Sequence, residues 1–185
     1  MRITSISIAY AALLPGILAI DFTGYAPQKG VQAEFKPFLK ALVTAAEDPL
    51  ATNAYTDYFT KDGMQTTLSI HCPGAAAIVR CKQGFLPPNG NLTLIHFPTT
   101  VSIYDNNATA TVYDSAGRIE NTFRGGNCSQ IYYQTRYTVL KTTQGINQPP
   151  NLTPKPQGQV YWYHDYVVNP TNVPSNIPCD SQRRG

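Results

Sequence analysis

The sequence predicts an α+β fold in which three helices precede a strongly twisted antiparallel sheet and pack on one of its faces. Between residues 34 and 86, apolar residues recur at a spacing of three to four, which is typical of amphipathic helices. From Asn91 onward the spacing changes to two, which is typical of strands. The chain has 185 residues, the size of one ordinary domain, and no internal repeat.

The helices are delimited by turn-forming residues. The first is predicted from Glu34 to Asp48-Pro49, and its apolar stripe consists of Phe35, Phe38, Leu39, Leu42 and Val43. A second, short helix is predicted over residues 51–59, a turn over residues 61–63 and a strand over residues 65–71. Cys72-Pro73-Gly74 begins a third helix, which Gly84 and Pro87-Pro88 end.

The second half of the chain reads as strands joined by turns. Strands are predicted over residues 92–97, 99–105, 108–113, 130–142 and 159–168, with turns at residues 105–107 and 115–117. Residues 144–158 contain four prolines and are predicted to form a long connection, because proline cannot occupy the interior of a central strand.

The charge composition excludes one function class. Charged residues make up 14% of the chain, against roughly 25% in typical globular proteins. The formal charge is only +3, and no run of Lys and Arg follows one face. Since binding to a phosphate backbone requires such a basic surface, we expect no nucleic-acid partner.

The amino terminus has the pattern of a secretory signal peptide. Arg2 precedes an apolar stretch from Ile3 to Leu18, and small Ala19 offers the preferred cleavage site before Ile20, with Gly16 and Ala11 as poorer sites. A buried helix or a membrane anchor is the alternative, but Pro15-Gly16 interrupts the stretch. We therefore predict a signal peptide over residues 1–19, a polar lead-in over 20–33, one domain over 34–168 and a Pro- and Asn-rich tail over 169–185. The protein is predicted to be secreted and extracellular, with no membrane contact after processing.

Cysteines and sequons agree with secretion. The four cysteines Cys72, Cys81, Cys128 and Cys179 fit two disulfides, and the four sequons predict glycosylation at Asn91, Asn107, Asn127 and Asn151. A helix over residues 73–82 would place Cys72 and Cys81 roughly 13 Å apart, which disfavours their pairing. A bond between Cys128 and Cys179 is suggested by the position of the tail. The two inferences conflict, so the connectivity stays open.

The order of elements resembles a known superfamily. Tyr58-Phe59-Thr60-Lys61-Asp62-Gly63 leads into a strand, a Gly- and Ala-rich helix follows, and Leu94-Ile95-His96-Phe97-Pro98 comes next. This order over residues 34–168 resembles the nuclear transport factor 2-like superfamily, and within it the secreted fungal SnoaL-like proteins. The resemblance implies a cone-shaped, strongly curved sheet wrapped around the helices, with an apolar pocket at one end. Such folds host cyclases, dehydratases, isomerases and pure binding proteins, so the fold alone fixes no activity.

His96 is the first candidate for chemistry. It shares a strand face with Leu92 and Leu94, so a neutral imidazole could act as acid or base in an apolar cavity. The alternative is a histidine of the core that bonds a neighbour. Asp57 and Tyr58, on the second helix, are candidate partners because a tyrosine and a carboxylate together can promote enol chemistry.

Five residues are candidate ligand contacts: Tyr55, Tyr104, Tyr137, Trp162 and His164. Tyr55 and Asp57 diverge by about 200° on a helix, so only one of them can face the pocket. Along the last strand, alternation places Trp162, His164 and Tyr166 on one side and Tyr161, Tyr163 and Asp165 on the other. The pattern does not tell which side faces the pocket.

Three functions fit these observations. The first is the binding of a small apolar or aromatic molecule; the second is acid–base catalysis of the dehydratase, isomerase or cyclase kind. The third is an interaction module or homodimer that uses the open sheet face. No cofactor motif and no metal-ligand spacing is present in the sequence, so we predict neither a cofactor nor a metal.

Overall fold

The computed structural model describes residues 20–126, 128–169 and 175–177. In chain order its elements are β1 Ala26–Pro27, α1 Phe35–Glu47, α2 Asn53–Thr56, β2 Phe59–Thr67, β3 Ile70–Pro73, α3 Gly74–Phe85, β4 Leu92–Asn106, β5 Ala110–Phe123, β6 Cys128–Leu140, β7 Val160–Asn169 and β8 Ser175–Ile177. The predicted α+β class is confirmed. None of the helices among the described residues is long and apolar enough to cross a membrane.

The sheet is curved around α1. Its strand order is β1-β4-β5-β6-β7-β2-β3, with β1 and β3 as open edges. The buried face of α1 carries the five apolar residues that the sequence predicted, Phe35, Phe38, Leu39, Leu42 and Val43. Side chains from five strands join them in one core: Phe59, Val101, Tyr113, Tyr137, Val139, Val160 and Tyr163. Because one helix reaches five strands, the sheet must bend around it into an open cone.

The sheet is mixed rather than purely antiparallel. The pairs β4–β5, β5–β6, β6–β7 and β2–β3 are antiparallel, as predicted, whereas β1 lies parallel to β4 and β2 parallel to β7. The lead-in is part of this arrangement, since Asp21 and Gln28 donate their backbone N–H groups to carbonyls of β4. Thus the polar lead-in follows the edge of the sheet.

The turns predicted at residues 61–63 and 115–117 are wrong, because both segments lie inside strands. In each segment the glycine occurs for a reason other than a turn. Residues 61–63 lie inside β2, where the register against β7 shifts between Phe59 and Met64. Residues 115–117 lie inside β5, where a Cβ on Gly117 would come within 2.3 Å of the carbonyl oxygen of Phe97. Gly117 therefore permits a close approach of two strands at the bulge beside Pro98.

Other bounds differ less. Strands predicted separately over residues 92–97 and 99–105 form the single strand β4, bulged at Pro98. The second helix is only one turn long, because β2 begins at Phe59. The long connection over residues 144–158 contains no strand, as predicted. In the tail, β8 pairs with β6 at Cys128 and Ser129, beyond the point where β7 ends.

The expectation that Cys72 and Cys81 do not pair is wrong. They form a disulfide, with Cα atoms 6.5 Å apart. The helix begins at Gly74, close to the predicted start, but Gly74 has a φ of +74° and reverses the chain. Residues 72–74 therefore run back along the helix, which brings Cys81 beside Cys72. Cys128 is also disulfide-bonded, whereas Cys179 lies outside the described residues.

We expect the Cys72→Ser/Cys81→Ser double variant to lose about 2–3 kcal/mol of unfolding free energy, because the bond closes a short loop in the unfolded chain. Denaturant unfolding measures the loss, and non-reducing peptide mapping of the wild type should recover Cys72 linked to Cys81. A map that links either cysteine to another partner would contradict the structure.

Candidate functional site

A pocket of about 260 Å³ opens between α3, the β2–β3 hairpin and the concave face of the sheet. Its walls are mostly apolar, contributed by Leu68, Phe85, Leu86, Leu92, Leu94, Ile119, Phe123 and Ile131. Leu92, Leu94 and His96 line it from β4, so the face that alternation assigned to these residues is the inner one. Leu68, Phe85 and Phe123 are about half exposed at the mouth.

A buried carboxyl group lies in the wall of this pocket. Asp165, on β7, keeps part of its surface accessible through the pocket, but its carboxyl lies deep enough in the protein that burial raises the pKa to about 6. The Thr135 hydroxyl donates to it, and the Thr67 hydroxyl lies at 3.5 Å. These bonds and nearby His96 favour the ionised form and limit the rise in pKa.

The imidazole of His96 is fixed by a second buried carboxylate. Nδ1 of His96 lies 3.0 Å from Oε1 of Glu47, and the His96 backbone N–H donates to the same oxygen at 2.6 Å. His96 is only 6% exposed and packs edge-on against the ring of Tyr133, at 5.3 Å between centroids. The geometry thus positions one ring nitrogen on Glu47 while the ring borders the pocket.

Tyrosines surround the inner end of the pocket. Tyr55, Tyr133 and Tyr163 line it, and Tyr55 donates its hydroxyl to Gln65 at 3.1 Å. Burial raises the pKa of each of these phenols, and the buried charge of Asp165 raises it further. They are therefore neutral hydrogen-bonding groups at any physiological pH.

The wall formed by α3 is attached to the rest of the domain through Lys82. The Lys82 ammonium group donates to the backbone carbonyls of Asp48 and Ala51, the latter at 3.0 Å. A cation suits this position, because α1 ends here with the negative end of its dipole. Burial lowers the pKa of Lys82, and the charge of Asp48 opposes that shift.

The structure does not bring the three catalytic candidates together. His96 borders the pocket, but Asp57 is exposed beyond the end of α2, and Tyr58 is buried in the core with its hydroxyl on the Pro154 carbonyl at 3.2 Å. Among the candidate ligand contacts, Tyr55 lines the pocket, whereas Tyr137 is buried in the core beside Tyr163. Of the pair Tyr55 and Asp57, the tyrosine is the residue that faces inward.

The remaining candidates, Tyr104, Trp162 and His164, lie on the outer face of the sheet. Trp162 and His164 stack on each other, with ring centroids 4.6 Å apart, and Trp162 donates to Thr66. The Arg136 guanidinium lies between the rings of Tyr104 and Tyr166. One face of the Trp162 ring and one face of the Tyr104 ring are thus occupied within the chain, whereas Tyr104 as a whole is 58% exposed.

The predicted modification sites have different surroundings. Asn91 and Asn107 are exposed, Asn151 is half-buried and Asn127 lies outside the described residues. Asn107 forms a turn at the tip of the β4–β5 hairpin, where its side-chain oxygen accepts from the backbone of Thr109 and Ala110. Within the described ranges, no group of three or more His, Cys, Asp or Glu residues could hold a metal ion.

Asp165 is the site residue that the sequence reasoning missed as a candidate. Alternation along β7 already placed it with Tyr163, on the side opposite Trp162. The burial of Tyr163 and the partial exposure of Trp162 decide which side is the inner one. With a carboxyl of raised pKa near a fixed imidazole, the pocket can both donate and accept a proton near neutral pH.

Replacing Asp165 should change how stability depends on pH. Burial raises its pKa from 3.8 to about 6, so between these values the folded protein keeps a proton that the unfolded chain releases. The unfolding free energy of the wild type, measured against Asp165→Asn, should therefore fall by about 2–3 kcal/mol from pH 4 to pH 7.

Denaturant titrations of both proteins across this range measure the difference. Thr135→Val should extend the transition to higher pH, because it removes a hydrogen bond that favours the ionised carboxyl. A difference between wild type and Asp165→Asn that is constant with pH would contradict a buried carboxyl.

Comparison with known proteins shows the fold. No protein-family model and no curated protein matches the chain. The Orange Carotenoid Protein of Anabaena (Nostoc), in a structure binding canthaxanthin, is similar with a TM-score of 0.51 and 12% identity, over 92% of this chain and 45% of that one. A protein from Catenulispora acidiphila is similar with a TM-score of 0.50 and 17% identity, over 76% of this chain and 86% of its own.

This chain thus spans less than half of the carotenoid protein. At such low identity the similarity concerns architecture alone. Together with the open, curved sheet around α1, it confirms the cone-like α+β fold that the sequence predicted.

Proposed function

We propose that the protein binds a small, largely apolar molecule that carries a hydrogen-bonding group at one end. The observation that carries this proposal is the pocket itself, whose apolar walls lead to a polar inner end. There Gln65, His96, Asp165 and the tyrosines can pair with a hydroxyl or carbonyl oxygen. A few placed polar groups in an apolar cavity are the usual features of a site for an uncharged organic ligand.

The volume limits the size of the ligand. Sites for drug-sized molecules enclose roughly 300–1,000 Å³, and this pocket has about 260 Å³. It suits one or two fused rings, and a long carotenoid such as canthaxanthin would extend beyond it. The similarity to the carotenoid protein supports the use of this fold for apolar ligands, but at 12% identity it does not identify the ligand.

We further propose that the protein is secreted and related to the fungal SnoaL-like proteins. Support comes from the signal-peptide pattern of residues 1–19, from the Cys72–Cys81 disulfide, and from the exposed sequons at Asn91 and Asn107. Disulfides persist in oxidising compartments, so the bond agrees with an extracellular location.

Acid–base catalysis is the second candidate, and Asp165 is the observation that favours it. A carboxyl with a pKa of about 6 can remove a proton from the carbon next to a ligand carbonyl, and a neutral tyrosine can donate a hydrogen bond to the resulting enolate oxygen. His96, held by Glu47, is a second proton carrier in the same wall. Asp57 and Tyr58 take no part in the catalysis proposed here.

The interaction module has less support. On the outer face of the sheet, Trp162 stacks on His164 and donates to Thr66, and Tyr104 packs one face on Arg136. A homodimer through this face therefore stays an untested prediction of the sequence.

Filling the pocket tests the binding proposal. Leu94→Trp, which places an indole in the pocket wall, should abolish the rise in Tm that 2-naphthol or 2-tetralone gives with the wild type. Thr93→Trp is the matched control, because Thr93 is the exposed neighbour on the opposite face of β4. Thermal unfolding with each compound is the measurement.

The polar end is tested with the same compounds. His96→Ala should weaken binding about tenfold through the loss of a hydrogen-bonding group, whereas His164→Ala on the outer face should bind as the wild type does. If neither the wild type nor any variant shifts in Tm across naphthols and tetralones, the pocket has another role.

Catalysis is tested by hydrogen exchange. In D₂O the protein should accelerate deuterium incorporation at the carbon next to the carbonyl of 2-tetralone, with a rate that rises with pH through about 6 as Asp165 ionises. Asp165→Asn should lower the rate at least 100-fold, and Asp57→Asn should not change it. Equal rates for wild type and Asp165→Asn, read by mass spectrometry, would reject catalysis by this carboxyl.

A further inference from the structure

Glu47 is a buried carboxylate held by three hydrogen bonds. It lies at the end of α1, and its side chain is only 5% exposed. Oε1 accepts two hydrogen bonds from His96, and Oε2 accepts one from the backbone nitrogen of Ile20. Among the described residues, its ion-pair contact is His96, and no lysine or arginine lies within pairing distance. A buried carboxylate is costly unless a cation or several donors compensate it.

The nitrogen that faces Oε2 belongs to the residue at the predicted cleavage site. The backbone nitrogen of Ile20 lies 2.9 Å from Oε2, and the Ile20 side chain is 5% exposed within the core. The next residue, Asp21, donates its backbone N–H to the His96 carbonyl at 2.9 Å. Ile20 is therefore held from both sides, by its apolar side chain and by backbone pairing beside His96.

We propose that Glu47 is the receptor for the amino terminus of the processed protein. Hydrolysis of the Ala19–Ile20 bond by a signal peptidase consumes one water and leaves a carboxylate on Ala19 and an ammonium group on Ile20. The nitrogen that now donates one hydrogen bond to Glu47 then carries a full positive charge at the same place. Processing in this way creates a buried ion pair beside His96, which lines the pocket.

The pair would connect processing to the pocket. The carboxylate of Glu47 that receives the ammonium group also fixes the backbone and the imidazole of His96. One additional residue at the amino terminus moves the charge by about 3.8 Å, outside direct contact with Oε2. The proposal therefore requires a cut after Ala19, and a cut at a neighbouring position would not form the pair.

The first experiment determines the cut. The full chain is expressed in a secreting fungal or yeast host, and the amino terminus of the secreted protein is read by mass spectrometry. We expect a chain that begins at Ile20. A chain that begins at any other residue would overturn the proposal.

The second experiment measures the ion pair. Chains that begin at Ile20 and at Ala19 are released from a cleavable amino-terminal fusion, each with Glu47 and with Glu47→Gln. We expect the Ile20 chain to unfold at a Tm about 5–10 °C above that of the Ala19 chain, and this difference to fall to near zero with Glu47→Gln. The matched control is Glu34→Gln, an exposed carboxylate of the same helix region, which should preserve the difference.

Chemical acetylation of the Ile20 amino group covers the case in which Glu47→Gln fails to fold. Acetylation at about pH 6.5, where the lysines are protonated and the α-amino group reacts first, removes the charge at the chain end. It should lower the Tm of the Ile20 chain and have no such effect on the Ala19 chain. Equal Tm values for the Ile20 and Ala19 chains, or equal effects of acetylation on both, would overturn the proposal and leave the ligand-binding proposal unaffected.

Discussion

The contact between Glu47 and His96 joins three segments of the fold next to the pocket. Glu47 ends α1, His96 lies in the middle of β4, and Ile20 brings the lead-in to the same carboxylate. Each of these segments is also packed by apolar side chains, but packing alone permits small sliding movements of a helix on a sheet. Because a buried carboxylate requires its donors in place, it fixes the end of α1 against the sheet.

The length of α1 explains why the core does not extend into the pocket. The core around Phe35, Tyr113 and Tyr137 is closely packed by large rings, one pair stacked at 4.1 Å between centroids. Beyond Glu47 the sheet continues past the end of α1, and α3 covers it there. A cavity therefore forms where the sheet extends beyond the end of α1. Its walls combine apolar side chains from the strands with polar side chains at the edge of the core.

The sequence predicted those features that depend on periodicity. The apolar stripe of α1 and the inner face of Leu92, Leu94 and His96 follow from spacing alone. Features that depend on contacts between distant parts of the chain could not be predicted from the spacing of residues. Gly117 resembles a turn residue, although it permits a strand to approach the Phe97 carbonyl, and the Cys72–Cys81 pair depends on a reversal at Gly74. Local residue types cannot distinguish these causes.

Asp165 is a residue whose environment depends on side chains from other strands. In a strand that alternates aromatic residues on both faces, a lone carboxyl on one face can be either a solvated group or a functional one. The side is decided by partners from other strands, here the hydroxyls of Thr67 and Thr135, which are remote in sequence. Two hydroxyl donors compensate an ionised carboxylate only in part, so burial raises its pKa. A carboxyl at this place costs more free energy than an apolar residue would, and under the proposed function it contacts the ligand.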